Sequence, residues 1–174
     1  MEKGVMTLRS IGRWVWSLKR FMYRGGRADA VMRLANRLDV MLYRTGLLSP
    51  RRAAVLKVAG RNSGKLTSVP VAVAKHRGAD YLVSMLGPDA NWVRNVRAAG
   101  GRAVLGRRGR EIPIMLVQVP PEHRAEILRG YLAIAPGARP HLGLTPTAPL
   151  SEFRKIAPNH PVFRILRRGA ELLS

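Results

Sequence analysis

The chain has 174 residues, 47% of them hydrophobic, enough material for one domain-sized core without disulfides. It contains no cysteine, which excludes disulfides, thiolate metal sites and a cysteine nucleophile and suits a reducing cytoplasm. Its 31 Lys+Arg stand against 10 Asp+Glu for a formal charge of +21, so the expected partner is anionic: nucleic acid, an acidic membrane surface or a phosphorylated cofactor all meet that condition.

Apolar residues recur at helical spacing over residues 7–47, predicting two helical pieces broken at Gly25-Gly26. The first carries Ile11, Trp14, Val15, Leu18, Phe21 and Met22 on one stripe with arginines around it, and the second carries Val31, Leu34, Leu38, Met41 and Leu42. Residues 1–48 form a segment of their own, with ten Lys+Arg and three Asp+Glu, ahead of a main domain over 49–174. Two readings stand open for residues 7–24: a stripe packed on the main domain, or an interfacial helix with Trp14, Trp16 and Tyr23 at headgroup depth and arginines on anionic lipid. The second places a cytoplasmic protein peripherally on the inner face of the cell membrane. No run of about eighteen apolar residues occurs, and no signal-peptide pattern opens the chain, so the mature protein is expected to begin near Met1.

From Arg51 the texture changes to short β-branched runs between Gly, Pro and charged turns. Strands are predicted over Ala53–Val58, Thr67–Ala74 and Tyr81–Met85, then a helix over Ala90–Ala99 ended by Gly100-Gly101. Ala103–Gly106 and Glu111–Val119 form a hairpin with the cationic tip Arg107-Arg108-Gly109-Arg110. Pro120-Pro121-Glu122 opens a helix to about Ile134. The Pro- and Gly-rich stretch Ala135–Pro149 reads as a loop and a candidate lid, and residues 150–168 as a short helix and a last apolar element, Pro161–Leu166.

Gly60-Arg61-Asn62-Ser63-Gly64-Lys65 fails as a nucleotide P-loop, with three residues between its glycines instead of four and Leu66 where magnesium needs a hydroxyl. It remains a turn between strands that offers glycine N–H groups and the side chains of Arg61, Ser63 and Lys65 to an anion, or else an ordinary cationic hairpin tip. Trp92 and Asn95, three apart, share a helix face; a half-buried amide there needs a partner that a ligand could supply. His76, His123, His141 and His160 are scattered without metal-ligand spacing, so no metal is expected. Acidic residues are too dispersed for a glycosidase pair, Ser63 is no nucleophile elbow, and no nucleic-acid motif accompanies the charge.

The run Gly-Arg-x-Ser-Gly-Lys over residues 60–65, then Pro70, then the strand through Tyr81–Ser84 into Gly87 and Asn91-Trp92-x-x-Asn95, resembles the deazaflavin-dependent nitroreductase family of the flavin/deazaflavin oxidoreductases. The resemblance covers roughly residues 50–120 and more loosely Pro161–Phe163. It implies an α+β split β-barrel of the FMN-binding kind, with N-terminal and flanking helices, and the reduced coenzyme F420, or alternatively FMN. By the same resemblance Arg61, Asn62, Ser63 and Lys65, with Gly64 between them, line the phosphate end of the cofactor. Pro70 and Ser84 approach the ring, Met85 is a further cofactor-binding position, and Trp92 and Asn95 close the site. Family members commonly carry basic residues where this chain has Asn62, Thr67 and Met85.

The implied activity is an F420-dependent reductase, transferring a hydride to a lipophilic acceptor such as a quinone, enone or nitro compound. Ser84, Tyr131 and His141 are the candidates to supply the following proton or polarise the acceptor. The alternative is a non-enzymatic protein that binds a lipid, acyl chain or other anion in the same groove. Both a monomer and a homodimer are compatible with the sequence, and no nucleic-acid partner is expected.

Overall fold

Alternation decides the first strand: Ala54, Leu56 and Val58 are buried while the residues between them are only partly covered. The computed structural model describes residues 52–167. The two N-terminal helices, the boundary between residues 48 and 49 and the interfacial reading of residues 7–24 therefore lie outside the described residues, which all belong to one compact unit.

Six strands, β1 (Ala53–Ala59), β2 (Leu66–His76), β3 (Ala79–Val83), β4 (Arg102–Arg107), β5 (Arg110–Gln118) and β6 (Val162–Arg167), close into an antiparallel barrel in the order β1-β2-β3-β6-β5-β4. Helix α1 (Asn91–Ala98) lies between β3 and β4; α2 (Ala125–Ile134), α3 (Arg139–Leu142) and α4 (Leu150–Ile156) lie between β5 and β6. The fold is thus α+β with a barrel and flanking helices, as the resemblance implies.

Two tight hairpins set the register. His76 pairs with Ala79 across Arg77 (φ 46°) and Gly78 (φ 77°), and Arg107 pairs with Arg110 across Arg108 (φ 49°) and Gly109 (φ 73°). Both central residues at positive φ define the turn whose twist matches the strands, and the glycine takes the second position without strain.

The barrel is filled by Leu56, Val58, Val73, Leu82, Leu105, Ile114, Leu116 and Phe163, and α1 adds Val93 and Val96 to the same core. A second core lies outside the wall, where Leu128, Tyr131 and Leu132 of α2 and Phe153 of α4 pack with Ala72, Ala74 and Val83. Strand β2 therefore serves both: Val71 and Val73 face inward, Ala72 and Ala74 outward, so all four are buried. The alanines leave room for bulky helix side chains, and each fully buried Leu contributes about 1.5–3 kcal/mol.

Two expectations need correction. The stretch 135–149 is not a structureless lid: it holds a 3-10 turn over Pro136–Ala138 and α3, and Ala135, Ala138 and Leu142 belong to the second core. The helix expected from Pro120 begins as a 3-10 turn over Pro121–His123, and α2 starts only at Ala125.

Candidate functional site

Strand β2 is paired unevenly. Its residues from Leu66 to Ala72 pair with β1, but its ladder with β3 runs only from Val73 to His76. The other edge of its first half is open, and the chain leaving β3, residues 84–90, runs on toward α1 without pairing to it. Pro70 sits in this half, where a residue lacking an N–H costs no ladder bond on the open side. After β3 the chain turns: Met85 and Leu86 are the middle residues of the Ser84–Gly87 turn, and Met85 packs against the second core. Leu86 beside it is the most exposed large apolar residue described, at 62%.

At the start of β2 the loop 60–65 is folded on itself and pinned. Gly60 N donates to Lys65 O and Gly64 N to Gly60 O, both at 2.8 Å. Lys65 N donates to Ser63 Oγ at 3.3 Å. The expectation that glycine N–H groups face an anion is therefore corrected: both are engaged within the loop. The exposed polar groups are the side chains of Arg61, Asn62, Ser63 and Lys65.

Asn95 holds this loop. It is 6% exposed, and its Oδ1 accepts from Arg61 N at 3.2 Å and Arg61 Nη1 at 3.1 Å. Its Nδ2 donates weakly to Thr67 Oγ1 at 3.4 Å, and Thr67 in turn donates to Val58 O at 3.0 Å. The amide thus finds its partners inside the protein. Trp92 packs against Phe163, ring centroids 5.5 Å apart, and lies against the barrel core. Both residues anchor α1 beneath the loop. The role of Thr67 as a latch is not visible in the sequence, where it stands as a missing cation.

Ser84, Tyr131 and His141 have separate surroundings. The Ser84 hydroxyl, 1% exposed, donates to Gly87 O at 2.7 Å and closes the turn after β3. Tyr131 lies in the second core, where burial pushes its phenol up to about 12. His141 is exposed on α3. No hydrogen bond joins any two of them among the described residues.

Two residues passed over in the sequence matter here. His160, 9% exposed, has Nδ1 3.2 Å from Ser84 O; a carbonyl can only accept, so Nδ1 carries the proton. Arg124, 3% exposed, donates to Val119 O at 2.7 Å and to Ala157 O at 2.9 Å, tying the segments before α2 and before β6 together. Burial lowers its guanidinium pKa from the ordinary value. Asp89 and Arg94 form an exposed ion pair at 2.6 Å, and the arginine holds that carboxyl below the usual range.

A separate depression of about 290 Å³ includes His76, Tyr81, Glu122, Glu126 and Arg154 in its lining, with Glu126 paired to His76 and Arg77 at 3.2 and 3.0 Å. Its carboxylates balance its cations. Among the described residues no group of three or more His, Cys, Asp or Glu could hold a metal, and no helix is long and apolar enough to cross a membrane.

No protein-family model matches this chain, and no curated protein sequence matches it. Solved structures do. One is an F420-H2 dependent reductase (FDR-A), 19% identical, covering 67% of this chain and 95% of its own, with a TM-score of 0.49. A domain-swapped dimer is 18% identical over 81% of this chain and 100% of its own, with a TM-score of 0.48. An FAD-binding protein from Mesorhizobium loti is 19% identical over 74% of this chain and 87% of its own, at 0.40.

Proposed function

We propose that the groove along the open edge of β2 binds a flavin-type cofactor, coenzyme F420 in the first instance, and that the protein is a reductase of a lipophilic acceptor. One observation carries the reading: the loop 60–65 and the Trp92-x-x-Asn95 helix, which resemble one family motif, are joined through Arg61 and Asn95. In this reading they hold the tail end of a site that extends along the unpaired edge of β2 toward Pro70.

The residues present fit such a group. Exposed Arg61 and Lys65 suit a polyanionic tail, and Pro70 and the exposed Leu86 supply apolar surface for a ring. When bound, the cofactor supplies the hydride. Asn95 orients the tail loop, and Ser84 shapes the turn beside the ring by holding the Gly87 carbonyl. Neither needs to touch the cofactor. With Ser84 Oγ engaged and Tyr131 buried, the proposal assigns the proton to solvent entering at the exposed end of the groove.

A fluorescence titration with F420 tests this. Arg61→Ala and Lys65→Ala are each expected to weaken binding about tenfold, a loss of roughly 1.4 kcal/mol. Unchanged F420 fluorescence at micromolar wild-type protein removes the reading. Binding of FMN in its place keeps the groove and changes the cofactor. Binding of either one without any hydride transfer to a quinone, enone or nitro acceptor leaves the non-enzymatic alternative, which the missing cations at Asn62, Thr67 and Met85 favour.

A further inference from the structure

The barrel has two ends with different chemistry. Helix α1 closes one, adding Val93 and Val96 to the core. At the other end five of the six strands, and the residue just ahead of β1, place a charged residue on the inward-facing side. Arg52, just ahead of β1, shares the side of Ala54 and Leu56; Lys75 that of Val71 and Val73; Asp80 that of Leu82. On the remaining strands Arg107 follows Ala103 and Leu105, Arg110 precedes Ile114 and Leu116, and Arg167 follows Phe163 and Ile165. The result is a ring of five cations around one carboxylate.

Asp80 serves only part of the ring. Its Oδ2 pairs with Arg167 at 2.7 Å, and Lys75 Nζ lies 3.0 Å from Oδ1 without hydrogen-bond alignment. Arg52 and Arg110 have no carboxylate partner among the described residues. Arg52 Nη1 is shielded from solvent and makes no hydrogen bond. Arg110 is exposed at the tip of the β4–β5 hairpin. Ile112, on the inward side two residues beyond Arg110, remains 38% exposed, so solvent reaches past the rim.

We infer that this rim is an anion site, built for a compact phosphate-bearing polyanion held by Arg52 and Arg110 with the rest of the ring around it. Adjacent strands lie about 4.8 Å apart, which lets cations from neighbouring strands converge on one multivalent group. Guanidinium forks match phosphate oxygens, and several cations converging on one point favour a multivalent anion over a single carboxylate. An occupant would satisfy the Arg52 donor. The site lies at the opposite end of the barrel from α1 and the 60–65 loop, and it stands independently of the cofactor reading.

The phosphate could be presented free or as a lipid headgroup, and the test separates the two. The full chain is titrated with tripolyphosphate by calorimetry at about 0.15 M salt, where diffuse attraction is largely screened. Sedimentation with phosphatidylglycerol vesicles, against phosphatidylcholine vesicles, forms the second arm. Arg52→Gln combined with Arg110→Gln is expected to weaken binding by about tenfold or more in whichever arm is positive. Arg129→Gln with Arg139→Gln, at exposed arginines on α2 and α3 away from the rim, is expected to leave it unchanged. Shifts of the backbone amides of Asp80, Arg110 and Arg167 on ligand addition report the location even if a variant folds poorly. Absence of binding in both arms at roughly 1 mM ligand overturns the proposal. So does equal loss in both double variants, which is diffuse attraction to a basic protein, or loss confined to the Arg129/Arg139 variant.

Discussion

Asn95→Ala tests whether the amide works as a latch or as a ligand contact. The substitution removes the acceptor of two Arg61 donors, at 3.2 and 3.1 Å, and a marginal donor to Thr67 at 3.4 Å. Hydrogen bonds of this kind contribute about 0.5–1.5 kcal/mol each, more when one partner is charged, but Arg61 and Thr67 are exposed and water replaces part of the loss. The expected cost is about 1–2 kcal/mol, read as a lower urea midpoint with an unchanged slope. Amide exchange at Arg61 should accelerate together with the loop, and F420 affinity should fall because the loop must be ordered on binding. Asn95→Asp keeps the acceptors, so it should hold stability near wild type while repelling a polyanionic tail. If Asn95→Ala loses affinity with stability and Arg61 exchange unaltered, the amide touches the ligand directly and the latch argument is wrong.

Three further outcomes follow from the packing. Gly101 has φ +81°, and a Cβ there would meet Leu116 O at 2.4 Å, so Gly101→Ala should destabilise by about 2 kcal/mol or more, measured by thermal unfolding. Arg124→Met removes the donors to the carbonyls of Val119 and Ala157 and should cost about 2–4 kcal/mol in urea unfolding, although both side chains have apolar stems. Tyr131 has its phenol pKa raised from 10.0 to about 12, so the folded state retains a proton that the unfolded state releases. Stability should therefore be unaffected by this group below pH 10 and fall between pH 10 and about 12, by roughly 1.4 kcal/mol per pH unit. Tyr131→Phe should abolish that part of the alkaline loss in denaturant titrations at successive pH values.

The strands were legible because a barrel wall imposes a period of two, and the inward residues of β1, β4 and β6 are nearly all Ala, Val, Leu, Ile or Phe. The run Val71-Ala72-Val73-Ala74 is less informative by itself, since small residues on one side signal a helix nearby only once the helix is placed. Segment 135–149 is hard to read for a related reason: prolines and glycines mark turns, but they do not say whether alanines between them are buried. The proposed groove is only partly legible. The resemblance names residues for it, yet the open edge of β2 depends on where β3 stops pairing, which no local pattern encodes. The pinning of the loop depends on Thr67 and Asn95, 28 residues apart.

Polar residues near the groove divide into two kinds, and burial separates them. Ser84 and Asn95, 1% and 6% exposed, have their hydrogen-bonding capacity directed at Gly87, Arg61 and Thr67, which fixes the backbone on either side of the groove. Arg61, Asn62, Ser63 and Lys65 are exposed and keep side-chain donors available. A buried group with satisfied partners gives up reactivity for position, since recruiting it to a ligand would leave Gly87 O or Arg61 N unpaired at a cost of about 1–3 kcal/mol. Affinity should therefore track charge at Arg61 and Lys65. Changes at Ser84 should act through the turn geometry, appearing as lost stability together with lost binding.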